Sequence, residues 1–334
     1  MKKTYYLFNP GRLSRQDNTL RFTPNSENGK QPKSRFIPVE GVEDLYVFGS
    51  LDTNSALYNY LGQQNIAVHF FNYYENYSGS FMPKEYLQAG KMQVAQVQYY
   101  TSEKKRMQIA SSLVDGASAN MLRNLKYYVK RDKPVEKQIK EIEDLRSTIR
   151  EAADVPTLMG IEGNIRRVYY QGFDAIIEPY EMQGRSKQPP ENEINALVSF
   201  GNSICYTTAL SCIYHTQLNP TISFLHEPGA RRFSLALDLA EIFKPVIVDR
   251  LIFKLLNKKV IQKKDFRKEL NGCLLSDSGR KQFVKQYDMR LKETFKHRTL
   301  NRSVSYKYLL RLECYKLAKH LLKIEEYKPY RAYW

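Results

Sequence analysis

Ser80-Phe-Met-Pro-Lys-Glu-Tyr-Leu-Gln-Ala-Gly-Lys-Met-Gln-Val-Ala95 divides this 334-residue chain by the period of its apolar residues. Before Pro83 they come in short β-prone runs bounded by turn residues. Tyr5-Tyr-Leu-Phe8, Thr19-Leu-Arg-Phe-Thr23, Phe36-Ile-Pro-Val39, Leu45-Tyr-Val-Phe48 and Ile66-Ala-Val-His-Phe-Phe71 read as strands, with turns at Asn9-Pro-Gly11 and Gln16-Asp-Asn18. One short helix, from about Asn54 to Gln63, interrupts them, and residues 72–80 read as a polar, tyrosine-rich stretch. After Pro83 no proline occurs through residue 130, and Met92, Ala95, Val97, Met107, Ile109, Leu113, Leu122 and Leu125 fall at helical spacing. Lys133-Pro134 ends that run, and helices are expected over 135–152, from Pro156 through Phe173, over 194–215, and at about 233–257, 279–296 and 304–325. The expected class is α+β: an N-terminal β-sandwich-like domain, residues 1–83, followed by an all-α catalytic domain, residues 84–334.

The net charge of +17 is unevenly placed. Residues 1–85 hold nine Lys and Arg against eight Asp and Glu, whereas the remainder holds 43 against 27. A basic excess confined to one part is the electrostatic footprint of a polyanion partner, and nucleic acid fits better than a membrane surface because no basic amphipathic helix with a strong apolar face stands out. No stretch approaches the roughly 20 apolar residues of a membrane span. The N-terminal run, with two lysines, breaks at Pro10 without a signal-peptide core. A cytoplasmic protein is expected. Cys205, Cys212, Cys273 and Cys314 show no CxxC spacing, which argues against a zinc knuckle or redox motif.

Chemistry concentrates in three segments. Leu158-Met-Gly-Ile-Glu-Gly-Asn-Ile-Arg-Arg167 sets Glu162 between two glycines, which would let the backbone pack closely around the acid. Phe224-Leu-His-Glu-Pro-Gly229 carries His226 on a loop, since Pro228 disfavours helix at Glu227. Ser234-Leu-Ala-Leu-Asp-Leu-Ala-Glu241 places Asp238 and Glu241 on one helical face within an apolar run, where acids are costly unless paired or metal-bound. Each has a plainer reading: Glu162 as an acid in the first turn of a helix, favoured by its dipole, and Asp238 and Glu241 as a solvated helix edge. Taken together, one imidazole with two or three carboxylates makes a hard shell suited to Mg²⁺ or Mn²⁺ rather than zinc. Arg166, Arg167, Arg231 and Arg232 stand beside the acids, so phosphodiester chemistry is indicated. The absence of GxxxxGK[ST] and GxGxxG argues against nucleotide hydrolysis and dinucleotide redox chemistry. A non-catalytic nucleic-acid scaffold and a zinc hydrolase remain as alternatives.

Gly160-Ile-Glu-Gly-Asn164, Asn195-Ala-Leu197 with Asn202 and Tyr206, Leu218-Asn-Pro-Thr-Ile222, Phe224-Leu-His-Glu227, Arg232 through Leu239 to Glu241, and Pro245-Val-Ile-Val-Asp249 follow one another in order. With Gly11-Arg-Leu-Ser-Arg15, Gly49 and Asn76 to Pro83, this set resembles the CRISPR-associated integrase subunit, the "Cas one" family, almost end to end. The resemblance implies metal ligands at Glu162, His226 and Glu241, Asp238 as a supporting acid, and Mg²⁺ or Mn²⁺ as the ion. It also implies a homodimer built through the β domain and a small partner protein, "Cas two". The implied activity is that of a DNA integrase and endonuclease that inserts short spacer fragments into a CRISPR repeat array by 3′-hydroxyl transesterification. Arg166, Lys187, Arg231 and Arg232 are the expected phosphate contacts, and Asn202, Tyr206 and Lys244 are expected to line the site, with helix packing an open alternative for Asn202 and Tyr206. Lys244 stands where arginine is common in that family, and lysine offers a point charge rather than a fork.

Overall fold

The β-prone runs before Pro83 form two four-stranded sheets over one apolar core. In this computed structural model, residues 2–26, 33–83, 87, 89–186, 189–229, 233–269 and 272–333 are described, and the chain divides into two units, Met1–Tyr86 and Leu87–Trp334. The first unit contains β1 (Lys3–Leu7), β2 (Gly11–Gln16), β3 (Thr19–Pro24), β4 (Arg35–Pro38), β5 (Val42–Val47), β6 (Leu51–Asp52), α1 (Ser55–Gln63), β7 (Ala67–Phe71) and β8 (Tyr77–Phe81). One sheet runs β1-β5-β7-β8, parallel across its first three strands and antiparallel at β8. The other runs β4-β3-β2-β6, antiparallel except where β6 joins β2. Leu45, Val47 and Val68 of one sheet share a core with Leu13, Leu20 and Phe22 of the other and with Leu57 and Leu61 of α1. The β2–β3 hairpin pairs Gln16 with Thr19, and Asp17 takes the left-handed conformation (φ 53°) that its short polar side chain tolerates.

Among its described residues the second unit is helical apart from two short antiparallel pairs, so the expectation of an all-α domain needs that amendment. Its helices are α2 (Gly90–Thr101), α3 (Glu103–Val129), α4 (Glu136–Ser147), α5 (Val155–Gln171), α6 (Phe173–Ile176), α7 (Glu193–Tyr214), α8 (Ser234–Phe243), α9 (Arg250–Asn257), α10 (Asp277–Lys292) and α11 (Tyr306–Leu321). The added strands are β9 (Phe266–Glu269) with β10 (Gly272–Leu275), and β11 (Thr294–Lys296) with β12 (Ser303–Ser305). Helix α7 lies at the centre, with Leu197, Phe200, Ile204 and Leu210 fully buried. Among the described residues it is one helix long and apolar enough to cross a membrane, contrary to the expectation from the sequence, but most of it is enclosed by the unit itself.

Two departures from regular helix shape the site. The run after residue 84 is two helices, because Ser102 adopts an extended conformation between α2 and α3. The segment at 233–257 is likewise broken. Pro245 has no N–H to donate back to the preceding turn, and Lys244–Asp249 opens into a π-helical turn between α8 and α9. The buried amides of Asn120 and Asn124 on α3 satisfy exposed carbonyls there: Asn120 Nδ2 donates to Ile242 O at 2.9 Å and Asn124 Nδ2 to Pro245 O at 2.8 Å. These bonds fix the end of α8, where Glu241 sits.

Candidate active site

Helix α5 is started by Asp154, whose carboxylate accepts the Thr157 N–H at 2.8 Å, and Pro156 occupies the first turn, where a missing N–H costs little. Glu162 lies well inside α5, and no acid occupies the first turn, so the helix-dipole reading of Glu162 is excluded. Glu162 and Arg166, four apart, share a face. Arg166 Nε donates to Glu162 Oε1 at 2.8 Å, and its Nη2 donates both to that oxygen and to Glu241 Oε2 on α8. One nitrogen therefore brings two carboxylates, distant in sequence, within two hydrogen-bond lengths of each other. Lys244 Nζ takes the other Glu241 oxygen at 2.6 Å.

His226 is held from three sides. Asp238, fully buried on α8, accepts the N–H groups of Phe224 (2.7 Å), Leu225 (3.0 Å) and His226 (2.9 Å), and also His226 Nδ1–H at 2.9 Å. Buried Gln96 of α2 donates to Asn219 O and Ile222 O, both at 3.1 Å, and accepts Asn219 N–H at 2.7 Å. Arg106 of α3 donates to Phe224 O at 2.9 Å and to Glu227 Oε1 at 2.6 Å. With Nδ1 committed to Asp238, Nε2 is the ring nitrogen left for a ligand, the usual second-sphere arrangement of a metal-binding imidazole.

These side chains meet in a cavity of about 740 Å³ whose walls include Glu162, Asn202, His226, Glu241 and Lys244. Among the described residues four cations line it, Arg166, Arg167, Arg185 and Lys244, against three carboxylates, Glu162, Asp174 and Glu241. Burial pushes the Glu241 carboxyl up, but the charges of Arg166 and Lys244 and the Lys244 hydrogen bond reverse that and hold it well below the usual carboxylate range. Burial pulls the His226 imidazole down, yet the Asp238 hydrogen bond and charge, with Glu241, leave it raised overall. Arg166 is desolvated, but Glu241 and Glu162 keep it firmly protonated.

Of the residues singled out in the sequence, Glu162, Arg166, Asn202, His226, Glu241 and Lys244 converge on this cavity, and Asp238 stands behind His226. Three expectations change. Tyr206 is not on the wall; its hydroxyl accepts the Phe233 N–H at 3.2 Å, at the start of α8. Gly160 and Gly163 do not serve close packing, since a Cβ at either would meet nothing within 4 Å. Arg166, expected as a phosphate contact, is engaged with the two glutamates. Lys187, Arg231 and Arg232 lie outside the described residues. Arg185 was not legible: no motif marks it, and Asn195 Oδ1 (3.0 Å) and Ser199 Oγ (2.9 Å) hold its guanidinium on the wall.

The donors suit a hard divalent ion: an imidazole with one free nitrogen and two carboxylates bridged by a single guanidinium nitrogen. As the side chains stand, no three His, Cys, Asp or Glu groups among the described residues are gathered closely enough to hold an ion. Arg166 and Lys244 instead hold the Glu162 and Glu241 oxygens that an ion would use.

The family model for CRISPR associated protein Cas1 matches residues 5–289. This chain belongs to the Cas1 family. A CRISPR-associated endonuclease Cas1 of Fusobacterium nucleatum is 47% identical over 335 residues, spanning 100% of this chain and 98% of the relative. Among solved structures, a CAS1 protein from Thermotoga maritima superposes with a TM-score of 0.87 at 39% identity, covering 99% of this chain and 100% of that one. The Cas1 fold is shared with a casposase bound to integration product (TM-score 0.85, 18% identity, 98% and 92% coverage). It also recurs in a Cas6-RT-Cas1–Cas2 complex (TM-score 0.84, 18% identity, 100% of this chain and 36% of that one).

Proposed function

We propose that this Cas1 protein is a divalent-metal-dependent DNA integrase and endonuclease of CRISPR adaptation, which joins short DNA fragments to the repeat array. The observation that carries the reading is the meeting of Glu162 and Glu241 on one Arg166 nitrogen, in a cavity that also holds an imidazole fixed by Asp238. The endonuclease name of its relatives and the integration product held by a protein of like fold support it.

Glu162, His226 and Glu241 would hold Mg²⁺ or Mn²⁺, which supplies charge stabilisation at the phosphorus and lowers the pKa of a bound hydroxyl. Asp238 keeps the imidazole in the tautomer that presents Nε2. Lys187, Arg231 and Arg232 orient phosphates of the strands. In the reaction the fragment's 3′-hydroxyl loses its proton as its oxygen bonds to phosphorus, the bond to the leaving 3′-oxygen breaks, and that oxygen takes up a proton in turn. One phosphodiester replaces another, so no nucleotide need be hydrolysed. The N-terminal β unit serves homodimerisation, and a small Cas2-type protein completes the assembly, a pairing that the Cas1–Cas2 complex of like fold supports.

The test is a joining assay on a repeat-containing duplex with the partner added. Strand joining should require Mn²⁺ or Mg²⁺, stop with chelator, and disappear in Glu162→Ala and His226→Ala. Joining at the wild-type rate by either variant would remove the metal-site reading, and salt-dependent DNA binding by wild type without chelator-sensitive joining would leave a nucleic-acid scaffold.

A further inference from the structure

The carboxylates that would hold the metal already have counter-ions. Arg166 Nη2 sits on Glu162 Oε1 and Glu241 Oε2, and Lys244 Nζ on Glu241 Oε1. These side chains are mostly enclosed: Arg166 is 19% exposed, Lys244 12% and Glu241 8%. The contacts are therefore not the screened surface pairs that contribute little. Two negative charges balance two positive ones. An ion at about 2.0–2.6 Å needs the same oxygen lone pairs that the guanidinium and ammonium now use.

We propose that Arg166, with Lys244, is a displaceable internal counter-ion. A divalent cation and the Arg166 guanidinium compete for Glu162 and Glu241, and the displaced guanidinium turns onto a phosphate oxygen of bound DNA. Metal and nucleic acid then bind the protein cooperatively. This rests on the metal-site reading above and adds the regulation of that site.

Three observations carry it. The first is the shared oxygens, which make the two states mutually exclusive. The second is charge. Among the described residues the cavity wall already carries four cations against three carboxylates. A divalent ion entering without an anion would face Arg166 and Lys244 across a few ångströms of partly desolvated space, where like charges repel strongly. A phosphodiester removes that excess, and its non-bridging oxygens match a guanidinium fork. The third is a ready place for the anion. Arg185 lines the same cavity, positioned by neutral partners, Asn195 and Ser199, with no carboxylate in ion-pair contact among the described residues. Arriving phosphate meets an oriented cation there, and Arg166 need only rotate off the glutamates to join it. Reciprocity follows: if DNA raises metal affinity, metal raises DNA affinity by the same factor.

The experiment measures Mn²⁺ binding by the paramagnetic resonance of the free ion, with and without a short DNA duplex, correcting for Mn²⁺ bound by DNA alone. Wild type should bind Mn²⁺ about tenfold or more tightly when DNA is present. Arg166→Gln, which keeps length but removes the charge, should bind Mn²⁺ about tenfold or more tightly than wild type without DNA and gain little from it. Arg166→Lys, which keeps the charge but loses the second nitrogen that Arg166 sets on Glu162, should fall between, and it serves as the second variant if Arg166→Gln does not fold. The proposal is overturned if DNA leaves wild-type affinity unchanged, or if Arg166→Gln binds Mn²⁺ equally or less tightly than wild type. If Mn²⁺ binding is lost in Glu162→Ala and His226→Ala but insensitive to Arg166, only the counter-ion idea falls. If no Mn²⁺ binds in any form, the metal-site reading falls with it.

Discussion

Replacing Asp249 with asparagine removes a charge that the folded protein resists holding. Asp249 closes the π-helical turn after Glu241 and is 2% exposed, with no hydrogen-bond partner for Oδ1. Burial pushes its carboxyl up to about 7, although the Tyr169 hydrogen bond and the charges of Arg166 and Lys244 pull the other way. A pKa raised above its unfolded value means that the folded state holds the proton more tightly. The contribution to stability is fully present below about pH 4, falls as pH rises, and is gone by about pH 7. The rise from 3.8 to about 7 corresponds to roughly 4 kcal/mol, which water entry would reduce to about 2–4. Asparagine has nearly the shape of the protonated acid. In chelator-treated protein unfolded by urea and followed by circular dichroism, Asp249→Asn should gain on wild type from about pH 5 to about pH 7 and then hold a constant advantage. Equal loss of stability at both ends of that range would refute the reasoning and make Asp249 an ionised partner of the cation cluster.

Gly201 on α7 faces Val248 so closely that a Cβ would come within 2.5 Å of Val248 Cγ1 and 3.0 Å of Phe283 Cζ. Gly201→Ala should therefore cost about 1–3 kcal/mol in urea unfolding, and stabilisation would contradict this packing. Gly163 lines the open cavity, so Gly163→Ala should add about 0.5–1 kcal/mol to stability while slowing strand joining; a destabilised variant would count against this account. Asp238→Asn gives up charge-assisted bonds to three backbone N–H groups and the imidazole, a loss of about 2–4 kcal/mol. Because Asp238 raises the His226 pKa, that substitution should also lower it, as imidazole proton resonances followed across pH would report; an unmoved titration would deny the pair its role.

Much of the fold is legible in apolar spacing. β1, β3, β4, β5, β7 and α1 fall where the alternation and turn residues put them. β2 escaped because Gly11-Arg-Leu-Ser-Arg-Gln16 is mostly polar and buries only Gly11 and Leu13 fully. β8 escaped because Tyr77-Ser-Gly-Ser-Phe81 reads as a loop until β7 supplies a partner, through a register shift at Phe70 and Phe71. The break at Ser102 carries neither Gly nor Pro; its signal is only a serine at the helix start followed by Glu103, which the unbroken apolar spacing masked. At the site, the i,i+3 spacing foretold that Asp238 and Glu241 share a helix face. Gln96 clasping residues 219–222, Asn124 reaching Pro245 and Arg166 joining two glutamates are contacts between remote segments. Pairings of that kind depend on the tertiary path and leave no trace in sequence spacing.

The most direct measurement is a crystal structure of the protein with Mn²⁺ and DNA, with the ion located by its anomalous scattering. The account predicts one peak at coordination distance from Glu162, Glu241 and the Nε2 atom of His226, with the Arg166 guanidinium off both glutamates. A peak elsewhere, or both glutamates still held by Arg166 with no ion between them at saturating Mn²⁺, would contradict it.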